Sequence, residues 1–381
     1  MATRRIHKIE NPFIYQGYES PSYFCDREEE TRAMLSHFKN GRNVTLISPR
    51  RIGKTGLIKN AFYHIEHERK KAICLYVDIF STKCLQDFVE MLGSAVMSGF
   101  ANKEKSFLEK AASLIGALRP VVSLDPFTGA PKVTVAVAPG QSQMTIKSIF
   151  DYLQHTPREV YVAIDEFQQI AEYPESGTEA LLRSYVQFTQ NVHFVFAGSK
   201  QHLMAEMFGS PSRPFFQSTE MMNLQPLDEP TYYDFANGFF QKRNGSIDEK
   251  VFSEIYHKFD GHTWYIQSIL NRLYERYKVV DDMAAVNHEI MQIVASKSAQ
   301  YESLAQFLTA KQFALLKAVA SDGIVAQPTS ANFIQRHHLA SASAVQTSMK
   351  ALLKHELLYR GSQGYMVYDR FMGIWLKSTF G

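Results

Sequence analysis

The chain has 381 residues, 45% apolar and 21% charged, with a formal net charge of +3. That length allows two or three cores, and the near-neutral balance excludes a general polyanion binder. No apolar run is long enough to cross a bilayer, and Met1-Ala2-Thr3-Arg4-Arg5 lacks the apolar core of a secretion signal. Cys25, Cys74 and Cys84 form no Cys-x-x-Cys, so neither a disulfide framework nor a thiolate metal site is expected. A cytoplasmic protein without a membrane partner is the expectation.

In chain order, Asn11 to Tyr23 is rich in Tyr, Pro and Ser and predicts an extended arm. Asp26 is placed to cap a helix ending near Asn40-Gly41, with Glu28 to Glu30 in its first turn. The apolar run Val44 to Ile47 predicts a buried strand, followed by Ser48-Pro49-Arg50-Arg51-Ile52-Gly53-Lys54-Thr55 and then Gly56. Leu57, Ile58, Ala61, Phe62 and Ile65 then fall on one face of a helix. Ala72 to Val77 predicts another strand, and Leu85 to Phe100 and Lys105 to Leu118 predict helices. Between about 120 and 138 the period changes to two around Asp125-Pro126-Phe127-Thr128-Gly129, the signature of an inserted β-hairpin. A helix from Met144 to His155 leads to the strand Val160 to Ile164, which ends on Asp165-Glu166. A helix from Thr178 to Gln190 precedes the strand His193 to Ala197, which ends on Gly198-Ser199. Strands alternating with helices predict βαβ units and a parallel sheet.

After Leu227 the pattern is helical: 228 to 242, 247 to 259, 262 to 277 and 282 to 300. Three further helices, 310 to 320, 330 to 337 and 341 to 355, precede two short strands at 357 to 360 and 365 to 368. That order is the layout of a winged helix. Residues 309 to 381 carry eight Lys and Arg against three Asp and Glu, a local net charge of +5.

Strand, Gly-containing loop and helix make the context of a phosphate-binding loop, although Ser48 stands where its first Gly is usual. Gly53 lets backbone N–H groups approach phosphate oxygens, Lys54 can reach the β- and γ-phosphates, and the Thr55 hydroxyl can hold Mg²⁺. Asp165, at the C-terminal end of its strand, would hold the same ion, and Glu166 would polarise an attacking water. Ser199 ends the next strand and is a candidate sensor of the γ-phosphate. Among the arginines, Arg213 is the preferred candidate for a guanidinium aimed at transferring oxygens, Arg183 the second, while Arg50 and Arg51 can instead form salt bridges within the fold. His64 and His67 share a helical neighbourhood but have no third ligand at metal spacing.

The ordered set F-x-x-R-E, P-R-R-I-G-K-T, strand-D-E-F, strand-A-G-S, R-P-F-F and L-x-P-L resembles the archaeal-type P-loop ATPases, relatives of the AAA+ and STAND ATPases. The first motif is carried by Phe24, Arg27 and Glu28. Gly261-His262-Thr263 stands where that family has Gly-His-Pro at the start of a lid helix, with Thr263 replacing the Pro. Asp369, Phe371 and Trp375 correspond to its closing D-x-F-x-x-W, with one residue more in the spacing. The resemblance implies an α/β fold: a P-loop NTPase parallel sheet with helices on both faces, a helical lid subdomain and a winged-helix domain. The expected boundaries are 1–227, 228–308 and 309–381. It also implies ATP and Mg²⁺ as ligands, with Phe24, Arg27, Ser199 and His262 beside the nucleotide and Tyr23 or Phe24 against adenine.

Three readings follow. The first is a Mg²⁺-dependent ATPase acting as a conformational switch, with Lys54, Glu166 and Arg213 in catalysis. The second is an ATP-regulated DNA-binding protein with little turnover, using Ser341, Ser343, Gln346, Thr347 and Lys350 in the groove and Lys354 or Arg360 on phosphates. The third is a regulator that docks a protein partner through its C-terminal domain.

Overall fold

The computed structural model describes residues 10–103, 118–124, 131–361 and 363–381. The chain divides into two compact units, Met1–Phe235 with Asp260–Ser268, and Ala236–Phe259 with Ile269–Gly381.

The first unit is built on a parallel five-stranded sheet in the order β2-β5-β6-β1-β7. Its strands are β1 (Val44–Ile47), β2 (Ile73–Asp78), β5 (Val160–Asp165), β6 (Val192–Gly198) and β7 (Glu220–Asn223). Every residue of β1 and β5 is buried, as expected where helices cover both faces of a sheet. The helices of this layer are α1 (Glu28–Lys39), α2 (Lys54–Glu68), α3 (Leu85–Lys103), α4 (Ser142–His155), α5 (Thr178–Val186) and α6 (Gln201–Gly209). Strand β7 was not expected. It is a largely exposed edge paired with β1, Val44 opposite Glu220 and Ile47 opposite Asn223, and of its side chains Met222 packs on the core below β1.

On one face of the sheet, Phe167, Phe194, Phe196, Phe208 and Phe215 are almost fully buried against one another. Their neighbouring ring centroids lie 4.5 to 5.8 Å apart, the range in which edge and offset contacts are favourable. This cluster underlies the ends of β5 and β6, and so fixes the two strand ends that carry Asp165 and Ser199.

The hairpin strands are β3 (Leu118–Leu124) and β4 (Pro131–Val137), antiparallel and in register from Leu118–Val137 to Leu124–Pro131. The expected helix over 105 to 118 and the turn at 125 to 129 fall outside the described residues, apart from Leu118, which opens β3. At the start of α1 the expected cap is corrected. Asp26 and Arg27 both have positive φ, 53° and 67°, and Arg27, not Asp26, occupies the cap position without a side-chain bond. The reason is the buried Arg27 side chain, which bonds Glu30 at 2.6 Å and the carbonyls of Ile52 and Gln225 at 3.4 and 2.5 Å.

The second unit contains α8 (Glu249–Lys258) and α10 (Met283–Gln306), which outlasts its expected end at 300. Helices α7 (Glu229–Gln241) and α9 (Thr263–Arg276) each begin in the first unit and run into the second. A short parallel pair, β8 (Ser246–Ile247) and β9 (Val279–Val280), was not expected. The C-terminal module has α11 (Ala310–Asp322), α12 (Ala331–Arg336), α13 (Ala342–Lys354) and the antiparallel wing β10 (Leu358–Arg360) and β11 (Tyr365–Val367). Thr309 and Gln312 form a reciprocal capping box at α11. A final helix, α14 (Arg370–Phe380), buries Phe371, Met372, Trp375 and Leu376 and starts at the Asp369 cap.

Phe196→Ala is expected to destabilise the first unit by about 3–5 kcal/mol, since a buried ring leaves a cavity that its neighbours refill only in part. A lowered urea midpoint at unchanged slope is the check.

Candidate nucleotide site

The site is built at the C-terminal end of the sheet. From Ile47 the chain turns into α2 through Arg51, at φ 69°, and Gly53, at φ 103°. The second angle strains any residue with a Cβ, which accounts for glycine there. Gly53 also leaves the first turn of α2 without a side-chain acceptor, as at α1, α4, α5 and α6, whereas Asp248, Asp282, Thr309, Ser330, Ser341 and Asp369 cap the helices they precede. Unpaired N–H donors and the positive helix end therefore face the loop, an arrangement suited to an anion.

A cavity of ≈ 380 Å³ opens over this loop, lined by Pro49 to Gly56, Phe24, Arg27, Glu166 and Ser199. Its opposite walls come from the arm residues Tyr15, Tyr18 and Tyr23 and from Thr263, Trp264 and Gln267. A Cβ on Gly56 would stand 2.7 Å from the Phe24 ring, so the glycine is what lets that aromatic close against α2.

Three charges meet beneath the loop. Lys54 Nζ is 2.7 Å from Asp165 Oδ1 and 3.1 Å from Glu166 Oε1, and all three side chains are largely buried. Thr55 Oγ1 donates to Asp165 Oδ2 at 3.1 Å, and Tyr76 OH donates to the same oxygen at 2.5 Å. Glu166 Oε2 accepts from Ser199 Oγ at 2.7 Å and Gln168 Nε2 at 2.5 Å. Arg50 Nε donates to Ser199 Oγ at 3.2 Å, and its guanidinium lies 5.5 Å from the Phe80 ring centre.

Burial by itself would raise the Asp165 carboxyl, but the Lys54 charge and the bonds from Lys54 and Tyr76 bring it below its usual range. Glu166 follows the same pattern: burial raises it, while Lys54 and the bonds from Gln168 and Ser199 prevail and lower it. Both groups are thus carboxylates at neutral pH. The paired oxygens of Thr55 and Asp165 are hard donors, a set that fits Mg²⁺ completed by water and substrate oxygens.

Of the other expected site residues, only Arg27 borders the cavity. Ser48 is fully buried below the loop, its hydroxyl donating to the Pro49 carbonyl at 3.0 Å. Arg27 borders the cavity, but its guanidinium serves the protein bonds given above. Arg213 is ion-paired with Glu179, with Glu206 at 3.8 Å, and does not line the cavity. His262 does not line it either, whereas the next residues do. Thr263 Oγ1 and Trp264 N donate to the Arg51 carbonyl at 2.9 and 3.1 Å, and the Arg51 guanidinium stacks 4.3 Å from the Trp264 ring centre. Tyr15, Tyr18, Trp264 and Gln267 were not singled out in the sequence. The Tyr-rich composition of the arm was the one local signal for the first two.

Because Lys54 is the cation shared by two buried carboxylates, Lys54→Met is expected to destabilise the ligand-free protein by about 3–5 kcal/mol at pH 7. Carboxylates depressed in the folded state lend stability above their unfolded pKa values and lose it as pH falls through the folded ones. In the variant, burial without the cation raises the same carboxyls, so the gap between the two proteins should begin to narrow at a pH above the ordinary carboxylate range and go on closing as pH falls through about 4, as thermal melts across pH will check.

The family described as an ATPase domain predominantly from Archaea matches residues 24–269, and a probable winged helix domain matches residues 299–378. No curated protein sequence matches the chain. Among solved structures, a Walker-type ATPase of Pyrococcus abyssi is similar at 16% identity and a TM-score of 0.64, over 96% of this chain and 99% of that one. The Aeropyrum pernix ORC2 protein, in ADPNP and ADP complexes, is similar at 15% identity and 0.57, over 97% and 96%. The Aeropyrum pernix ORC1 protein, in complex with DNA, gives 13% and 0.55, over 97% of each chain. These likenesses share the fold, and the match over residues 24–269 carries the assignment: the chain belongs to the family of ATPase domains predominantly from Archaea, here followed by a winged helix.

Proposed function

We propose that the protein binds ATP with Mg²⁺, hydrolyses it to ADP and phosphate, and uses the cycle as a conformational switch. The observation that carries this reading is the contact of Lys54 with Asp165 and Glu166 under an uncapped helix start. The loop N–H groups and Lys54 would hold the phosphates, and Thr55 and Asp165 would hold the metal. A bound Mg²⁺ would supply neutralisation of phosphate charge. When Lys54 turns toward phosphate, Glu166 loses its cation and becomes a stronger base at the position where water must be activated. Ser199, bonded to Glu166 and bordering the cavity, would report the γ-phosphate. A switch is supported by the Arg51 carbonyl, which receives the first donors of α9, a helix continuing into the second unit. Arg213 would take part only after leaving Glu179.

DNA binding is a second reading for the C-terminal module, favoured by the exposed face of α13. Ser343, Gln346, Thr347, Lys350 and Lys354 are exposed there while Val345, Ser348 and Leu352 are buried. That leaves a polar strip of the kind a recognition helix turns to a groove. The similarly folded Aeropyrum pernix ORC1 protein was solved with DNA, which is consistent with this use.

Two tests follow. Lys54→Ala should abolish ATP binding, and Glu166→Gln should keep it while losing roughly 100-fold or more in turnover. Normal hydrolysis by Lys54→Ala protein would overturn the ATPase reading. For the second, DNA affinity should fall linearly with the logarithm of salt, and Lys354→Ala should reduce the slope by about 1. Affinity indifferent to salt would remove DNA as the partner.

A further inference from the structure

Asp165-Glu166 does not end the acidic strand's contribution to the site. Glu166 has φ 55° and ψ 39°, and the chain enters a 3₁₀ turn, Phe167–Glu172. That turn sets Gln168 directly behind Glu166. Gln168 is 1% exposed, and its Nε2 donates to Glu166 Oε2 at 2.5 Å. The amide orientation follows from its partner, since an ionised carboxylate accepts hydrogen bonds and cannot donate one. Its other atom, Oε1, is buried without a protein partner. Room for it comes from Gly198, where a Cβ would stand 2.4 Å from Gln168 Oε1 and 2.5 Å from Met204.

A buried amide with one arm unpaired is a poor choice for stability, because an unsatisfied buried acceptor carries a desolvation cost that no bond offsets. An apolar side chain of the same shape would avoid that cost. Buried polar groups of this kind, set beside a functional carboxylate, are found where geometry outweighs stability. The bonds to Glu166 are also divided unequally. Ser199 and Gln168 both hold Oε2, whereas Oε1 is held by Lys54, the side chain expected to move to phosphate.

The geometry points to Gln168 as a positioning residue, which anchors Glu166 through Oε2 from behind and so presents Oε1 to the attacking water. It does not line the cavity, so it acts on the substrate only through Glu166. This role rests on the reading of Glu166 as the base.

Gln168→Met keeps the volume and removes the donor. With full-length protein and Mg²⁺-ATP, kcat is expected to fall roughly 10- to 100-fold, the scale of a misplaced reacting group. KM for ATP and Kd for ADP should stay within about twofold, and Tm should hold or rise, because the orphaned oxygen is gone. Gln168→Asn retains the amide but withdraws it by one methylene. It should show the same split and provides the test if the Met variant does not fold. Turnover at the wild-type rate in either folded variant, with Glu166→Gln inactive, would overturn the positioning role alone. So would a loss of turnover accompanied by falling Tm and weakened ADP binding, the mark of a purely structural residue. Normal hydrolysis by Glu166→Gln would instead remove the base itself, and the role of Gln168 with it.

Discussion

The site depends on one buried contact, the ammonium of Lys54 between the carboxylates of Asp165 and Glu166. Two ionised carboxylates cannot be neighbours in a dry environment without a cation, because the desolvation cost of each adds to their repulsion. The sheet order brings the three together. Strands β1 and β5 are separated by β6, and the loop from Ser48 to Gly53 carries the first residue of α2, Lys54, to the end of β5. The Phe cluster below β5 and β6 fixes those ends rigidly, and Tyr76 from β2 steadies the far oxygen of Asp165.

Lys54 is thus both the counterion that stabilises the ligand-free site and the group best suited to bind phosphate. These roles exclude each other at full strength. A polyphosphate that takes the Lys54 charge must bring compensation for Asp165, and under the proposed function a divalent cation beside Thr55 and Asp165 would supply it. Nucleotide and metal are therefore expected to bind cooperatively, since each removes the electrostatic penalty that the other creates.

Much of this was legible in the sequence where chemistry is local. Val44 to Ile47 and Val160 to Ile164 read as buried strands because both faces are apolar, and Gly53-Lys54-Thr55 and Asp165-Glu166 follow them directly. Strand β7 was illegible because Glu220, Met221, Met222 and Asn223 carry no pleated apolar pattern, and pairing to β1 makes it a strand. Helix α14 also has a local signal, since Phe371, Met372, Trp375 and Leu376 repeat at helical spacing. The cap at α1 failed for a longer-range reason. Asp26 has the right chemistry, yet the bond from Arg27 to the carbonyl of Gln225 dictates the local backbone. The cavity walls at Tyr15 and Trp264 were out of reach of spacing rules, since their rings meet across nearly the whole first unit of sequence.

Thr263 shows how one substitution alters the coupling between loop and helix. A proline there would satisfy the backbone conformation of a helix start but would carry no hydroxyl. Thr263 Oγ1 and Trp264 N together place two donors on the Arg51 carbonyl, and the Arg51 side chain folds back over Trp264. Arg51 itself has the left-handed backbone, which costs a non-glycine residue of order 1–2 kcal/mol. Two hydrogen bonds and a cation–π contact are of the right size to hold that conformation against its strain. The shape of the phosphate loop is therefore set partly by the start of α9. Any ligand that reshapes the loop at Arg51 must act on the helix as well, and the reverse holds by the same thermodynamic linkage.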